Sequence, residues 1–473
     1  MNTLPDIKTQ FPEWYNQVIY KAELVDESPV RGSYVICPYG WSIWEHIKSY
    51  LDERIKITGH KNASFPLFIP ESFLNKEAAH VEGFSPELAV VTYAGGKKLE
   101  EPLIVRPTSE TIIHHMFARW IKSYRDLPLK INQWANVVRW ELRPRPFLRT
   151  TEFFWQEGHT AHETYEQAQE EAELMMQEYV AMAHTILAIP VITGTKSEQE
   201  KFPGAIKTLT FEGVMQDGKA LQMGTSHLLS QSFAHAFNMQ FQDHTGAQAY
   251  PHLTSWGATS RLVGAVIMVH GDQKGLVLPP AIAPIQVVII PITRKDTDTA
   301  KLKEYISTIE QRLTSKSIRT HIDDAEHKSP GAKFYEWELK GVPIRLEIGP
   351  RDMQNNSVTF ATRIESEKHT TSANAIETFI GEKLQYIQGQ MLTIAQEKRQ
   401  ALWHQAEKLN VFGPILAEHN GIYQTGWCQR PECEMKLKEY KATTRCVLSE
   451  KTHTQCFACD RPSISDVIVG KAY

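Results

Sequence analysis

The sequence predicts an α+β fold of more than one domain, on three observations. At 473 residues the chain exceeds what a single hydrophobic core organises. Over its first ~280 residues, helical-period segments alternate with strands of antiparallel character, the pattern of helices flanking an antiparallel sheet. A proline-rich stretch, LVLPPAIAPIQ at 276–286, then reads as a linker, and the pattern changes after it to alternating strands and helices.

Each element has a local cause. Trp41, Trp44, Ile47, Leu51 and Ile55 recur at helical spacing, and SFPLFIP (64–70) follows as a strand. A second helix starts near Ser109, with Ile112, Ile113, Met116, Phe117 and Trp120 on its inner face. Thr108 or Ser109 would cap it, and Glu110 would favour its positive end. A third, about 164–187, carries Ala168, Ala172, Met175, Tyr179, Met182 and Ile186. Residues 205–223 read as two strands around a turn at Asp217-Gly218, a hairpin signal. Beyond the linker, QVVIIPI is a buried strand, 298–316 a helix, IRTHIDD a strand and 332–340 a helix, with PIRLEIG and SVTFATRI as further strands. That alternation predicts a partly parallel sheet. A long polar helical stretch, about 373–409, leads into a cysteine-bearing tail.

Composition excludes several classes of function. With 51 basic and 55 acidic residues the formal charge is −4, so polyanion binding would need locally concentrated Lys and Arg. The longest apolar run, IAPIQVVIIPI (282–292), is short of the ~20 residues of a membrane span and carries prolines. The N-terminal stretch lacks a basic segment followed by an apolar one, so a secretory leader is not expected. Six cysteines, five of them after residue 427, do not form a secreted disulfide scaffold. A cytoplasmic protein without membrane association is the expectation.

The chemistry concentrates in VVRWELRPRPFLRTTEFFWQEGH (137–159). Arg139-Trp-Glu141, a loop, then Arg149-x-x-x-Phe153 would put alternating side chains of two joined strands on one sheet face. Arg139 offers a bidentate fork to phosphate, Glu141 an acceptor for an exocyclic amine, and Phe153 a flat surface for a purine. An antiparallel pair with cross-strand Arg–Glu ion pairs and buried aromatics would explain the same residues. Gly257-x-x-x-Arg261 runs into an apolar stretch (255–272), where glycine permits close approach and arginine can stack on a base. The third piece is VRPTSETIIHHMFARW (105–120).

Together these segments resemble the class II aminoacyl-tRNA synthetases, and specifically the prolyl-tRNA synthetase family of the archaeal and eukaryotic cytosolic type. The resemblance spans essentially the whole chain: 41–70, ending at Pro70, is similar to motif 1, 137–157 to motif 2, 255–272 to motif 3, and RPTSE to the proline-site loop. It implies a class II antiparallel-sheet catalytic domain flanked by helices at 1–283, an α/β anticodon-binding domain at 284–380 and a small zinc-binding α/β domain at 381–473. For proline it implies Thr108, Glu110, Arg139, Trp155, His227, Ser255 and Gly257. For ATP it implies Arg139, Glu141, Arg149, Thr150, Phe153, Gln222, Thr225, Thr259 and Arg261, with Arg139, Arg149 and Arg261 catalytic and Mg²⁺ accompanying the triphosphate. Arg143 and Arg145, in the motif 2 loop, would face the tRNA acceptor end or solvent. The further partners implied are tRNA(Pro) and a second copy of the chain in a homodimer.

Proline anticodons end in two guanines, whose edges suit carboxylates and arginines. RLEIGPRD (345–352) supplies Glu347, Arg351 and Asp352, with Lys333 and Phe334 as neighbours; a solvated charged loop is the competing reading. In the tail, Cys428-x₄-Cys433 and Cys456-x₂-Cys459 have the spacing of a structural tetrahedral Zn²⁺ site, with Cys446 and His453 as rival ligands. The resemblance also implies a C-terminal tyrosine, here Tyr473. Between motifs 2 and 3 lie only a helix and a hairpin, so hydrolysis of mischarged alanyl-tRNA in cis is not expected.

A threonine enzyme would carry Cys and His zinc ligands where this chain reads Arg106-Pro107-Thr108. A catalytically dead paralogue would not be expected to keep Arg139, Glu141 and Arg261 together. A general nucleic-acid-binding protein is disfavoured by the acidic charge and the lack of a basic tract.

Overall fold

The computed structural model describes residues 4–74, 88–294, 296–365 and 367–473. Helices α1 (Phe11–Lys21) and α2 (Pro38–Ile57) both place proline in the first turn, where a missing N–H is not needed. The apolar period of α2 buries Ile43, Trp44, Ile47, Leu51 and Ile55. The strand expected at 64–70 shrinks to Phe68–Pro70, which joins Ala89–Ala94 and Lys97–Val105 in a three-stranded sheet. Side chains explain the loss. The Phe65 N–H donates to Gln133 Oε1 (2.6 Å) and its carbonyl accepts from Arg106 (2.8 Å), leaving nothing for a ladder.

Helix α3 (Glu110–Trp120) begins where expected, but Ser109 makes no side-chain cap. Instead the Thr108 hydroxyl accepts the Glu110 N–H at 3.3 Å. Helix α4 (Tyr165–Thr185) is capped by Thr164. The platform of the site is an antiparallel array of β2 (Leu129–Val138), β3 (Glu152–His162), β4 (Val191–Thr195), β5 (Lys207–Val214), β6 (Ala220–Ser230) and β7 (His252–Thr259), in the order β4-β5-β6-β7-β3-β2. The short β1 (Lys61–Asn62) closes its edge in parallel with β2. The β5–β6 turn holds Gly218 at φ +79°, a conformation that favours glycine. Helices α1, α2, α4 and α5 (Arg261–His270) share one core with Phe211, Met223, Trp256 and Ala258 of the sheet. Strand alternation sends the intervening residues to the other face.

The second region is a five-stranded sheet in the order β9-β8-β10-β11-β12, built from β8 (Val287–Pro291), β9 (Thr320–Ile322), β10 (Ile344–Ile348), β11 (Ser357–Thr362) and β12 (Lys368–Ser372). Strands β9, β8 and β10 are parallel and the rest antiparallel, with α6 (Thr299–Ser315) and α7 (Pro330–Leu339) as connections. The polar stretch from 373 resolves into α8 (Ile376–Ala401), then β13 (Trp403–Gln405), then α9 (Leu409–Glu418). Position 381, the expected domain boundary, falls inside α8.

Strands β13, β14 (Ile422–Trp427), β15 (Thr443–Val447) and β16 (Ser465–Gly470) extend the first sheet to eleven strands. The seam is one register pair, Val447 with Thr195, where Gly194 leaves room for the Val447 carbonyl. Among the described residues no helix is long and apolar enough to cross a membrane.

Candidate active site

The open face of the sheet carries a cavity of about 840 Å³. Register explains its lining. Trp155 pairs with Thr259, Glu157 with Gly257, His159 with Ser255, and Ser255 and Gly257 in turn with His227 and Thr225. These residues share one face, while Gln156 and Trp256 between them point into the core, Gln156 hydrogen-bonded to Tyr179 and Trp256 packed edge-on against it. Every residue expected to meet proline or ATP borders this cavity: Thr108, Glu110, Arg139, Glu141, Arg149, Thr150, Phe153, Trp155, Gln222, Thr225, His227, Ser255, Gly257, Thr259 and Arg261.

The β2–β3 loop folds back on itself through an Arg145–Arg149 bridge. Arg139 leaves the end of β2, donates Nε to the Pro107 carbonyl (3.0 Å) and lies 5.4 Å and 5.5 Å from the Phe153 and Trp155 ring centres. Arg149 and Glu141 form a close ion pair, and Glu141 also accepts the Arg143 N–H at 2.8 Å. The alternative reading anticipated an Arg–Glu ion pair between the strands; the pair that forms lies within the loop joining them and borders the cavity.

Arg261 opens α5, with its N–H on Thr259 Oγ1 (3.1 Å) and its guanidinium on the Leu148 and Gln222 carbonyls (3.0 and 3.2 Å). Burial, with Arg139 and Arg149 adding repulsion, pushes its pKa down to about 10. Three guanidinium groups, Arg149 among them paired with Glu141, thus converge on one cavity, an arrangement suited to an oligophosphate.

At the other end, Thr108 and Glu110 start α3 beside Glu157, a residue that motif spacing did not single out. Glu157 Oε2 accepts the Ser109 N–H (3.2 Å) and faces His159 Nε2 (3.2 Å) and the Thr108 hydroxyl (3.5 Å), while Oε1 accepts from Gln133 (2.9 Å). Burial raises this carboxyl, but the His159, Ser109 and Gln133 interactions outweigh it and hold it below the ordinary range. A side chain at Gly257 would press on the Gln156 carbonyl at 3.1 Å and reach the Trp155 ring at 3.8 Å, so glycine keeps a slot open beside that indole. His227 is held between Thr208 and Thr225 (3.0 and 2.9 Å). The cavity also draws on Arg143, Arg145, Lys196 and Tyr473. Tyr473 is bonded to Asp217 (2.7 Å) and flanked by Lys219 and Arg145, a long-range approach no local spacing signals.

In the second region Glu347 is buried at the end of β10, accepting from Arg345 (3.0 Å) and Lys368 (2.7 Å), whose cations both face the Phe334 ring. Asp352 caps its own short helix through the Gly349 N–H and Arg351 is exposed. Lys333 turns inward to the Asp323 carbonyl. In the tail, the four thiols of Cys428, Cys433, Cys456 and Cys459 lie within 4.8 Å of one another. Cys446 sits instead against β4 and His453 pairs with Asp466 (3.0 Å), so neither rival joins them.

An antiparallel sheet whose open face converges arginines from a strand–loop–strand and from the start of a following helix defines the catalytic domain of a class II aminoacyl-tRNA synthetase. Residues 93–270 match the tRNA synthetase class II core domain (G, H, P, S and T), 286–383 the anticodon binding domain, and 409–473 the prolyl-tRNA synthetase C-terminal family. Proline–tRNA ligase 2 of Clostridioides difficile is 48% identical, covering 99% of this chain and 97% of its own. The proline–tRNA ligase of Acetoanaerobium sticklandii is 50% identical, covering 99% and 98%. A crystal structure of prolyl-tRNA synthetase from Cryptosporidium parvum with L-proline and AMP superposes with a TM-score of 0.93 at 39% identity, covering 100% of this chain and 99% of that one. The same enzyme with halofuginone and AMPPNP gives 0.95 at 40%, covering 99% of each. The chain belongs to the prolyl-tRNA synthetase family and is an ATP-dependent proline–tRNA ligase.

Proposed function

We propose that the cavity binds proline at its Thr108–Glu110 end and ATP across Phe153 and the three arginines, and that its residues act by positioning and charge stabilisation alone. The observation that carries this reading is the convergence of all the expected proline and ATP residues on one cavity. Glu110 and the Thr108 hydroxyl take the prolyl secondary ammonium, the slot between Trp155 and Gly257 takes the ring, and Arg139 draws the carboxylate toward the α-phosphate. Adenine lies between Phe153 and Arg261, its amine on Glu141, with the backbone at Thr150 beside it. Arg149 then leaves Glu141 for the triphosphate. The proline carboxylate attacks the α-phosphate and pyrophosphate departs in line, so no protein nucleophile is required. The 3′-terminal ribose hydroxyl of tRNA(Pro) then attacks the prolyl carbonyl, releasing AMP.

Mg²⁺ would be held mainly by phosphate oxygens, with Glu200 offering a further oxygen at the cavity wall. When bound it would neutralise charge on the phosphates. The tail thiols fit a structural Zn²⁺: Cys428 lies 3.7 Å from Cys433 and 3.8 Å from Cys459. Tetrahedral ligation at ~2.3 Å requires sulfurs about 3.8 Å apart. Glu347, with Arg345, Lys368 and Phe334 around it, offers the acceptor and stacking surface for an anticodon guanine, with Arg351 and Asp352 beside it. Exposed Phe68 and Val90 on the three-stranded sheet, with Leu67 just before it, support a homodimer, and the absence of any helix long and apolar enough to cross a membrane among the described residues is compatible with a cytoplasmic setting. ATP–pyrophosphate exchange over a panel of amino acids, followed by charging of tRNA(Pro), tests the reading. Stimulation by proline alone is expected; stimulation by threonine or by no amino acid would overturn it.

A further inference from the structure

Helix α5 has functional groups at both ends. Arg261, its first residue, is in the cavity, and the buried apolar helix of about 15 Å ends at Gly271-Asp272. There the Asp272 carboxylate receives both guanidinium nitrogens of Arg363 (2.7 and 2.5 Å), a fork from the residue directly after β11. The geometry is constrained on each side. Arg363, only 4% exposed in its side chain, also donates Nε to the Glu338 carbonyl (2.9 Å). Asp272 accepts the Lys274 N–H (2.8 Å), and its carbonyl accepts the Trp14 indole N–H (3.0 Å).

The backbones beside this pair are joined as well. Leu276 donates to the Leu339 carbonyl (2.9 Å), and a side chain at Gly275 would collide with the Leu339 backbone at 2.6 Å. Leu339 ends α7, the helix that carries Phe334 under Arg345 and Lys368. One helix therefore runs from the Glu347 cluster to the Asp272–Arg363 junction, and a second runs from that junction to Arg261.

We propose that Arg363 is a positioning residue: its forked pair with Asp272 couples occupancy of the anticodon-binding region to the placement of Arg261. This rests on the reading of residues 286–383 as the anticodon-binding region. A carboxylate gripped by two parallel N–H donors has one favoured orientation, unlike a point contact, so the pair transmits rotation as well as position. Such coupling is typically worth five- to about a hundredfold in discrimination, and the test of a pair is a double-mutant cycle.

The experiment uses the full chain with Arg363→Gln, Asp272→Asn and the double variant. Three quantities are measured: proline-dependent ATP–pyrophosphate exchange without tRNA, charging of tRNA(Pro) with native and single-base-altered anticodons, and affinity for the anticodon stem-loop RNA. Exchange is expected within about twofold of the parent and stem-loop affinity unchanged. Discrimination between the two tRNAs is expected to fall roughly tenfold in each single variant and no further in the double. Retained discrimination, or exchange falling in step with charging, would overturn the coupling. Failure of the parent chain to bind the stem-loop would instead overturn the anticodon reading, and the proposal with it.

Discussion

Glu157→Gln isolates the network that holds the Thr108–Glu110 end of the cavity, where the proposed reading puts proline. The substitution keeps the shape of the side chain and replaces one acceptor oxygen with a donor. Oε2 faces the Ser109 N–H, His159 and Thr108, and Oε1 faces the Gln133 amide, so either amide orientation puts donor against donor. One charge-assisted hydrogen bond is lost, about 1.5–3 kcal/mol, and a buried N–H is left unpaired, about 1–3 kcal/mol. A loss of about 3 kcal/mol is therefore expected, and it falls on the loop that presents Thr108 and Glu110. In proline-dependent exchange that is roughly a 100-fold fall in kcat/KM for proline, with the KM for ATP little changed. The sign with pH follows from the carboxyl being held below its ordinary value. Its contribution is full above about pH 4.3 and is lost as pH falls through the lowered value. The parent should lose proline affinity in that window, and the variant should not show this loss. A variant within twofold of the parent for proline, or one losing ATP and proline equally, would refute the reasoning.

The seam between the first sheet and the C-terminal strands makes a second prediction. Glu212 is fully buried and accepts from Lys196 (2.7 Å) and from Arg445 of β15 (2.8 Å). Glu212→Gln leaves the buried Lys196 and Arg445 without their carboxylate and should cost about 3–5 kcal/mol, seen as a lowered thermal unfolding temperature, while Glu212→Gln combined with Lys196→Met and Arg445→Met should recover much of it. Removal of metal by a strong chelator should release one zinc per chain by elemental analysis and destabilise residues 409–473 to proteolysis before the catalytic domain. Protein free of zinc with an intact tail would remove the structural-metal assignment.

Much of the fold was legible because its cause is local. The α2 and α4 periods and the Asp217-Gly218 hairpin each depend on residues a few positions apart. The candidate site residues on β3 and β7 were named from the resemblance to the family's motifs, and alternation along those strands accounts for their sharing one face of the sheet. Legibility failed where distant groups meet. Phe65 reads as strand, but Gln133 and Arg106 take its backbone. Glu157 reads as one carboxylate among several until Ser109 and Gln133 converge on it. Nothing near Val447 announces that it pairs with Thr195 and makes one sheet of two domains. The seam is fixed by burial of Glu212 between elements more than 200 residues apart.

The central claim is that the arginines of this cavity do the work of catalysis, and Arg139 tests it most directly. Its Nε anchors to Pro107 and its cation faces the Phe153 and Trp155 rings, so the side chain is held in place at the point where the proposed reading puts the α-phosphate and the proline carboxylate. In Arg139→Ala, proline-dependent ATP–pyrophosphate exchange should fall by at least about 100-fold, the scale of losing one preorganised donor to a developing charge. Exchange near the parent rate in a folded Arg139→Ala protein would contradict the account.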